Sequence, residues 1–199
     1  MSEEETYGSC SYWNTRYQQE STPFDWYQSF IGLKSYFESL IKLQDDILMV
    51  GCGNSLLSEQ MYEAGYKSIV SMDISPVVIE QQNLRYRDKY PDLQFLVENA
   101  LDMSFQDNTF DIVLDKGTFD TIMCGDNSQE NALIMCQEIN RVLKPGGKYI
   151  IISYGAPKDR ESHFSNACEW KRIDIQTIKK PDSKKSTSVH YIYIMTKLD

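Results

Sequence analysis

Ile47-Leu48-Met49-Val50-Gly51-Cys52-Gly53-Asn54-Ser55, followed after a helix-like stretch by Ile69-Val70-Ser71-Met72-Asp73, decides the fold. An apolar run that breaks into Gly-x-Gly and then a helical pattern reads as a buried parallel strand turning beneath a nucleotide-like ligand. The second run ends on Asp73, about 20 residues past Gly53, where a carboxylate is placed to accept hydrogen bonds from ribose hydroxyls. The glycines permit a tight turn and close backbone approach. An ordinary strand-turn-helix with incidental glycines competes with this reading, and the acidic strand end weighs against it.

The turn also discriminates between ligands. Dinucleotide sites carry Gly-x-Gly-x-x-Gly, the last glycine letting the helix N-terminus close on a pyrophosphate, and here that position is Leu56. This argues against NAD or FAD and for a cofactor without phosphate, of which S-adenosylmethionine is the commonest.

A chain of 199 residues with 41% hydrophobic content fits one domain with a sizeable core and leaves no room for a second. The net charge of -9 disfavours nucleic acid as the main partner, because phosphate binding needs a clustered positive surface. A basic protein partner suits it better, although acidity also serves solubility. Five cysteines, an odd number without a Cys-x-x-Cys pair, suit a reducing cytosol and argue against zinc or a disulfide scaffold. Two histidines are too few for a histidine-rich metal site, so no metal is expected. The acidic N-terminus lacks the apolar region of a signal peptide and no stretch is long enough to span a bilayer, so a cytoplasmic protein without a membrane partner is expected.

Residues 1 to 11, charged and small, are expected to be disordered, with residues 12–199 forming a single domain. Within it, 12–41 reads as an aromatic segment and helix covering the cofactor site. Thr22-Pro23 reads as a helix cap and first position, with Trp26, Phe30, Leu33, Phe37 and Leu40 at helical spacing. Trp13, Tyr17 and Trp26 fall before or at the start of that helix, where they can fold over a ligand.

Strands are expected at 47–50, 68–72, 94–97, 110–114 and 149–153. Helices fill the intervals 55–64 and from Pro76 to about Tyr90, and a long one ends at Lys144-Pro145-Gly146-Gly147. The β-rich stretches 170–178 and 189–196, with no helix between them, read as a hairpin across the basic turn 179–185. The fold class is therefore α/β: a Rossmann-like, seven-stranded, mostly parallel sheet with a C-terminal antiparallel hairpin and helices on both faces.

In open α/β sheets ligands sit outside the carboxyl ends of the strands. Gly51 and Gly53 leave the first strand, Asp73 ends the second, Asn99-Ala100 follow the third, and Asp115-Lys116 follow the fourth. Asn99 is placed to meet an adenine edge, with a plain turn residue as the competing reading. Lys116 reads as a backbone contact or a salt bridge within its loop.

The tracts 99–105 (NALDMSF), 110–120 (FDIVLDKGTFD) and 141–147 (RVLKPGG) resemble the middle and late motifs of S-adenosylmethionine-dependent methyltransferases. Tyr12-Trp13, Arg16-Tyr17, Asp25-Trp26, the 51–55 turn, Asp115-Lys-Gly-Thr, Ala156-Pro157 with Arg160 and His163, and the terminal HYIYIM at 190–195 are similar, in order, to the lysine methyltransferases of translation elongation factor 1-alpha, particularly the single-domain type. The resemblance covers nearly the whole chain from Tyr12. It implies cofactor contacts at Trp13, Tyr17, Trp26, Gly51, Asp73 with Ile74, Asn99 with Ala100, and Lys116. It also implies elongation factor 1-alpha as protein partner; a monomer is expected. Two positions depart from it: Asn99 stands where many class I enzymes have Asp, and Asp115 where relatives often have Glu.

Methyl transfer from a sulfonium is an in-line displacement, so placement of a neutral acceptor amine carries most of the chemistry. Asp115, Asp120, Tyr12 and Tyr154 are candidates to orient or deprotonate it, with Asp115 and Tyr154 foremost. Asp73→Ala is expected to abolish cofactor binding with little loss of folding. A small-molecule methyltransferase is the first alternative, although such enzymes usually add a helical lid. A catalytically silent cofactor-binding scaffold is the second; loss of the glycines or the ribose acid would mark it, and both are intact.

Overall fold

The computed structural model describes residues 7–181, 183–185 and 187–199, so the disorder expected for residues 1–6 lies outside the described residues. Seven strands form one sheet in the order β3-β2-β1-β4-β5-β7-β6. They are β1 (Ile47–Val50), β2 (Ile69–Asp73), β3 (Gln94–Val97), β4 (Phe110–Lys116), β5 (Leu143–Ser153), β6 (Trp170–Lys179) and β7 (Val189–Lys197). The first five run parallel, and β7 inserts antiparallel between β5 and β6. This is the expected α/β arrangement with its C-terminal hairpin.

The central strand β1 lacks polar alternation because both its faces are covered. Along β1, Ile47 and Met49 pack with Leu33 and Phe37 on one side, while Leu48 and Val50 pack with Met135, Ile139 and Val142 on the other. The first group of partners comes from α2 (Phe30–Leu40) and the second from α6 (Ser128–Val142). Val50 pairs with Met72 on one side and Asp115 on the other, so the ends of β1, β2 and β4 lie level. The chain order reverses between β1 and β4, which opens a crevice above them.

The helices that frame this crevice have legible ends. α4 (Pro76–Tyr86) starts with Pro76 at its first position, and the Ser75 hydroxyl accepts from Val78 N–H. α3 (Leu57–Glu63) is followed by Gly65 at φ 108°, a left-handed stop. α5 (Thr118–Ile122) follows Gly117 directly after β4.

Three local expectations are corrected. Residues 7–11 are not a uniformly irregular tail: α1 (Cys10–Gln19) begins at Cys10, capped by Ser9, whose hydroxyl accepts from Tyr12 N–H at 3.2 Å. The polar sequence of α1 hides it, because its docking on α4 runs through hydrogen bonds, Ser75 Oγ to Asn14 Oδ1 at 2.6 Å and Gln81 Nε2 to the Tyr17 carbonyl at 2.9 Å. Trp13 and Tyr17 therefore sit on a helix of their own. Thr22-Pro23 does not start α2, which begins after Ser29, since Asn54 Nδ2 holds the Thr22 carbonyl at 2.6 Å and keeps this segment as a loop across the crevice. Finally, β5 begins at Leu143, passing through the glycine pair with Gly146 at φ 73° and a shift of register, and α7 (Glu161–Ala167) follows it unannounced.

Candidate active site

A cleft of about 270 Å³ opens at the carboxyl ends of β1, β2 and β4. Trp13, Tyr17, Trp26, Gly51, Gly53, Asp73, Ile74, Asn99, Ala100 and Lys116 all line it, as does Tyr154. The glycine turn is built by sterics. Gly51 has φ 62°, and a Cβ there would lie 2.0 Å from Thr118 Oγ1, whose hydroxyl donates to the Val50 carbonyl at 2.9 Å. Gly53, at φ 51°, donates its N–H to Asp73 Oδ2 at 2.9 Å. The other oxygen of Asp73 accepts from Ser75 N–H at 3.0 Å.

These two bonds aim a nearly buried carboxylate at the cleft and leave further lone pairs for hydroxyl donors, which fits a ribose. Burial pushes the Asp73 pKa up to about 6 against the pull of the backbone N–H groups. A phosphate fits poorly at the adjoining helix end: Leu56 stands at the cap of α3, and Leu57 N–H is taken by Ser55 Oγ at 3.0 Å.

The near wall comes from α1 and the 20–29 loop. Trp13 and Tyr17 rings stack with centroids 5.7 Å apart, and the Arg16 guanidinium lies 5.6 Å from the Trp26 ring and 6.0 Å from that of Trp13. The loop is fastened to the glycine turn through Asp25, whose carboxylate takes the Ser55 hydroxyl and the Lys116 ammonium, the latter at 3.0 Å. Lys116 Nζ also donates to the Trp26 carbonyl at 3.2 Å. Its ammonium is therefore committed to the loop. Burial lowers the Lys116 pKa and Asp25 opposes that shift.

On the far wall Asn99 Oδ1 accepts from Leu101 N–H at 3.0 Å, so the residue closes a local turn while it borders the cleft. Ala100 beside it is buried.

At the acceptor end the two foremost candidates separate. Asp115 is fully buried and does not line the cleft. Its oxygens accept from Thr118 N–H, Phe119 N–H and the Tyr149 hydroxyl at 2.8, 2.9 and 3.0 Å. It caps the start of α5 from below, and its expected contact with an acceptor amine is corrected on that ground. β4 is buried on both faces, so residue type alone did not reveal which way this carboxylate points. Tyr154 is half-exposed at the rim, near exposed Cys124. Tyr12 does not line the cleft; its ring lies tilted against Tyr7 and edge-on to Trp13. His163 packs against Phe119 away from the cleft. Asp120 does reach the lining, with its oxygens accepting from Ser153 Oγ at 2.6 Å, Tyr154 N–H at 3.1 Å and the Arg160 guanidinium at 2.9 Å.

Tyr27, which periodicity absorbed into an expected helix, lines the cleft instead. It has φ 63°, and Gln28 N–H donates to the Trp26 carbonyl at 2.7 Å, closing a three-residue γ-turn of the rarer, strained hand. Holding a bulky residue there costs about 1–2 kcal/mol. The bonds from Lys116 to Trp26 and from buried Gln28 Nε2 to the Lys179 carbonyl, at 2.8 Å, maintain it. No signal in the linear sequence marks this turn.

A methyltransferase-domain family model matches residues 48–151. The eEF1A lysine and N-terminal methyltransferase of Mus musculus is 39% identical over 165 residues, covering 80% of this chain and 24% of that protein. The chain thus spans about a quarter of the length of such relatives. The EEF1A lysine methyltransferase 4 of Mus musculus is 30% identical over 171 residues, covering 81% of this chain and 67% of that protein. Among solved structures, the N-methyltransferase NodS of Bradyrhizobium japonicum, in complex with S-adenosylhomocysteine, shares the fold with a TM-score of 0.65 at 12% identity, over 94% of this chain and 99% of that one. With the 3-2-1-4-5-7-6 sheet, these matches establish that the chain belongs to the class I S-adenosylmethionine-dependent methyltransferases.

Proposed function

We propose that this methyltransferase modifies a lysine side chain of translation elongation factor 1-alpha. The observation that carries the reading is the similarity, over four-fifths of the chain, to proteins named for methylating lysine in that factor. The acceptor side of the cleft supports it: Tyr154 and Cys124 stand exposed at the rim, so a side chain projecting from a large partner can enter. The net charge of -9 favours encounter with a basic surface. The five free cysteines are consistent with work in the reducing cytoplasm, and we take the protein as a monomer whose single domain extends the expected 12–199 back to the start of α1 at Cys10. Among the described residues no helix is long and apolar enough to cross a membrane.

S-adenosylmethionine supplies a methyl group on a sulfonium. Asp73 accepts the ribose hydroxyls, Asn99 and Ala100 border the adenine, and Gly51, Gly53 and Ile74 let the backbone approach. Trp13, Tyr17 and Trp26 cover the ligand, and Lys116 fixes the loop that carries Trp26. A free lysine amine, with a pKa near ~10.4, must shed its proton before it can attack, and entry into this mostly apolar cleft lowers that pKa by desolvation. Tyr154 orients the amine at the rim.

Incubating the purified protein with radiolabelled S-adenosylmethionine and elongation factor 1-alpha tests this directly. The label is expected on one lysine of the factor. An unlabelled factor beside another labelled lysate protein would remove the substrate and leave the class.

A further inference from the structure

The strained turn at Tyr27 places a phenol where no cofactor contact requires one. The Tyr27 ring is boxed in. A Cβ built on Gly117 would lie 3.3 Å from Tyr27 Cε2, the His190 ring centroid is 4.9 Å away, and the Tyr154 ring meets it edge-on at 6.1 Å. His190 is itself held through Gln28 Nε2 at 3.2 Å from its Nδ1. The ring therefore has one orientation, along the wall of the cleft between Gly117 and Tyr154.

Tyr27 and Asp120 line the same stretch of the cleft on either side of Tyr154, whose ring meets Tyr27 and whose N–H donates to Asp120 at 3.1 Å. Burial and the charge of Asp120 raise the Tyr27 pKa strongly, which keeps the proton on the phenol. Asp120 is anchored in turn by Arg160 and Ser153, so it does not swing away. A phenol that keeps its proton beside a fixed carboxylate has oxygen lone pairs free to act as acceptors in the cleft.

We propose that Tyr27 is a second acceptor-binding residue of this enzyme, deeper than Tyr154 at the rim: its phenolic oxygen accepts an N–H of the incoming amine and thereby fixes the direction of the nitrogen lone pair. The inference rests on the lysine reading above and adds to it a preference for acceptors that still carry an N–H. A neutral primary or secondary amine has such a donor; the neutral tertiary amine of dimethyl-lysine has none. Tyr27 thus favours the first two methyl transfers and gives no help to the third.

Tyr27→Phe keeps the ring, the turn and its packing, and removes only the oxygen. With lysine and monomethyl-lysine forms of elongation factor 1-alpha as substrates, the variant is expected to slow transfer by about tenfold, the worth of one such hydrogen bond. The dimethyl-lysine form is expected to react at the wild-type rate, and the dissociation constant for S-adenosylhomocysteine to be unchanged. Calorimetric titration of the S-adenosylhomocysteine complex with n-butylamine should show weaker binding to the variant by a similar factor. Equal slowing of all three substrates, or equal n-butylamine affinity in both proteins, would overturn the assignment. If wild-type protein leaves elongation factor 1-alpha unmodified, the substrate reading fails and the n-butylamine titration alone decides for or against Tyr27.

Discussion

The carboxylate of Asp73 accepts a hydrogen bond from the backbone N–H of Gly53 at 2.9 Å, joining the end of β2 to the turn that leaves β1. The Asp73 carboxylate and the glycine turn are thus one unit. Asp73→Ala is therefore expected to do two things. It should abolish measurable S-adenosylmethionine binding, and by orphaning the N–H groups of Gly53 and Ser75 it should cost about 1–3 kcal/mol of stability. The second effect departs from the expectation of little loss of folding, because the sequence does not show that the carboxylate is already bonded. Unfolding in urea alongside calorimetry checks both.

The same residue sets a pH dependence. Its folded pKa is raised to about 6, so its contribution to stability is present below the ordinary carboxylate range and is lost as pH rises through 6. Cofactor binding runs the opposite way, since only the ionised carboxylate accepts from both ribose hydroxyls. The dissociation constant should rise as pH falls below about 6, with proton release on binding visible as a buffer-dependent enthalpy. A flat profile across that range would remove Asp73 from the ribose site.

The two glycines of the turn differ in tolerance. Gly51→Ala drives a methyl to 2.0 Å from Thr118 Oγ1, an atom pinned to the Val50 carbonyl, and should leave little folded protein. Gly53→Ala meets the free end of a side chain, the Tyr17 hydroxyl at 2.7 Å, and the next atom of that ring lies at 3.6 Å. Adding Tyr17→Phe should recover part of the loss, leaving the left-handed backbone cost of about 1–2 kcal/mol. A double-mutant cycle measures this coupling, and strict additivity would contradict it.

Asp25 and Lys116 form a pair whose side chains are 20% and 7% exposed. Removing only the acid strands a buried ammonium, so Asp25→Ala should destabilise the protein by about 3–5 kcal/mol, more than Lys116→Met, which replaces the charge with an apolar side chain. Both variants should weaken cofactor binding, since both loosen the loop bearing Trp26. Thermal unfolding ranks them.

For Asp115, the burial and three donated hydrogen bonds predict a structural phenotype. Asp115→Asn should lose about 2–4 kcal/mol, because an amide nitrogen then faces a donor. A variant with wild-type stability and no activity would return this carboxylate to the acceptor site.

Much of this was legible in the chain. The apolar runs of β1 and β2, the short β3 and the β6–β7 hairpin marked out the sheet, since a central strand covered on both faces leaves an unbroken apolar run. Gly51, Gly53 and Asp73 gave the cofactor, because the interval between them is set by one strand-helix-strand unit. What stayed hidden depends on tertiary contacts. α1 has no clear apolar stripe and owes its place to hydrogen bonds with α4. The loop carrying Trp26 and Tyr27 is shaped by Asn54 and Lys116 from distant parts of the chain, and the inward turn of Asp115 goes with the hydrogen bond it accepts from the Tyr149 hydroxyl. Asp25 belonged to a motif already noticed, yet its bond to Lys116 spans 91 positions and no local pattern announces it.

Methylation of a lysine of elongation factor 1-alpha is the proposed activity. Mass spectrometry of that factor, isolated from cells with and without the protein, tests it most directly. The account predicts one lysine whose methylation disappears with the protein and returns with the wild type but not with Asp73→Ala; an unchanged methylation pattern across the factor would contradict it.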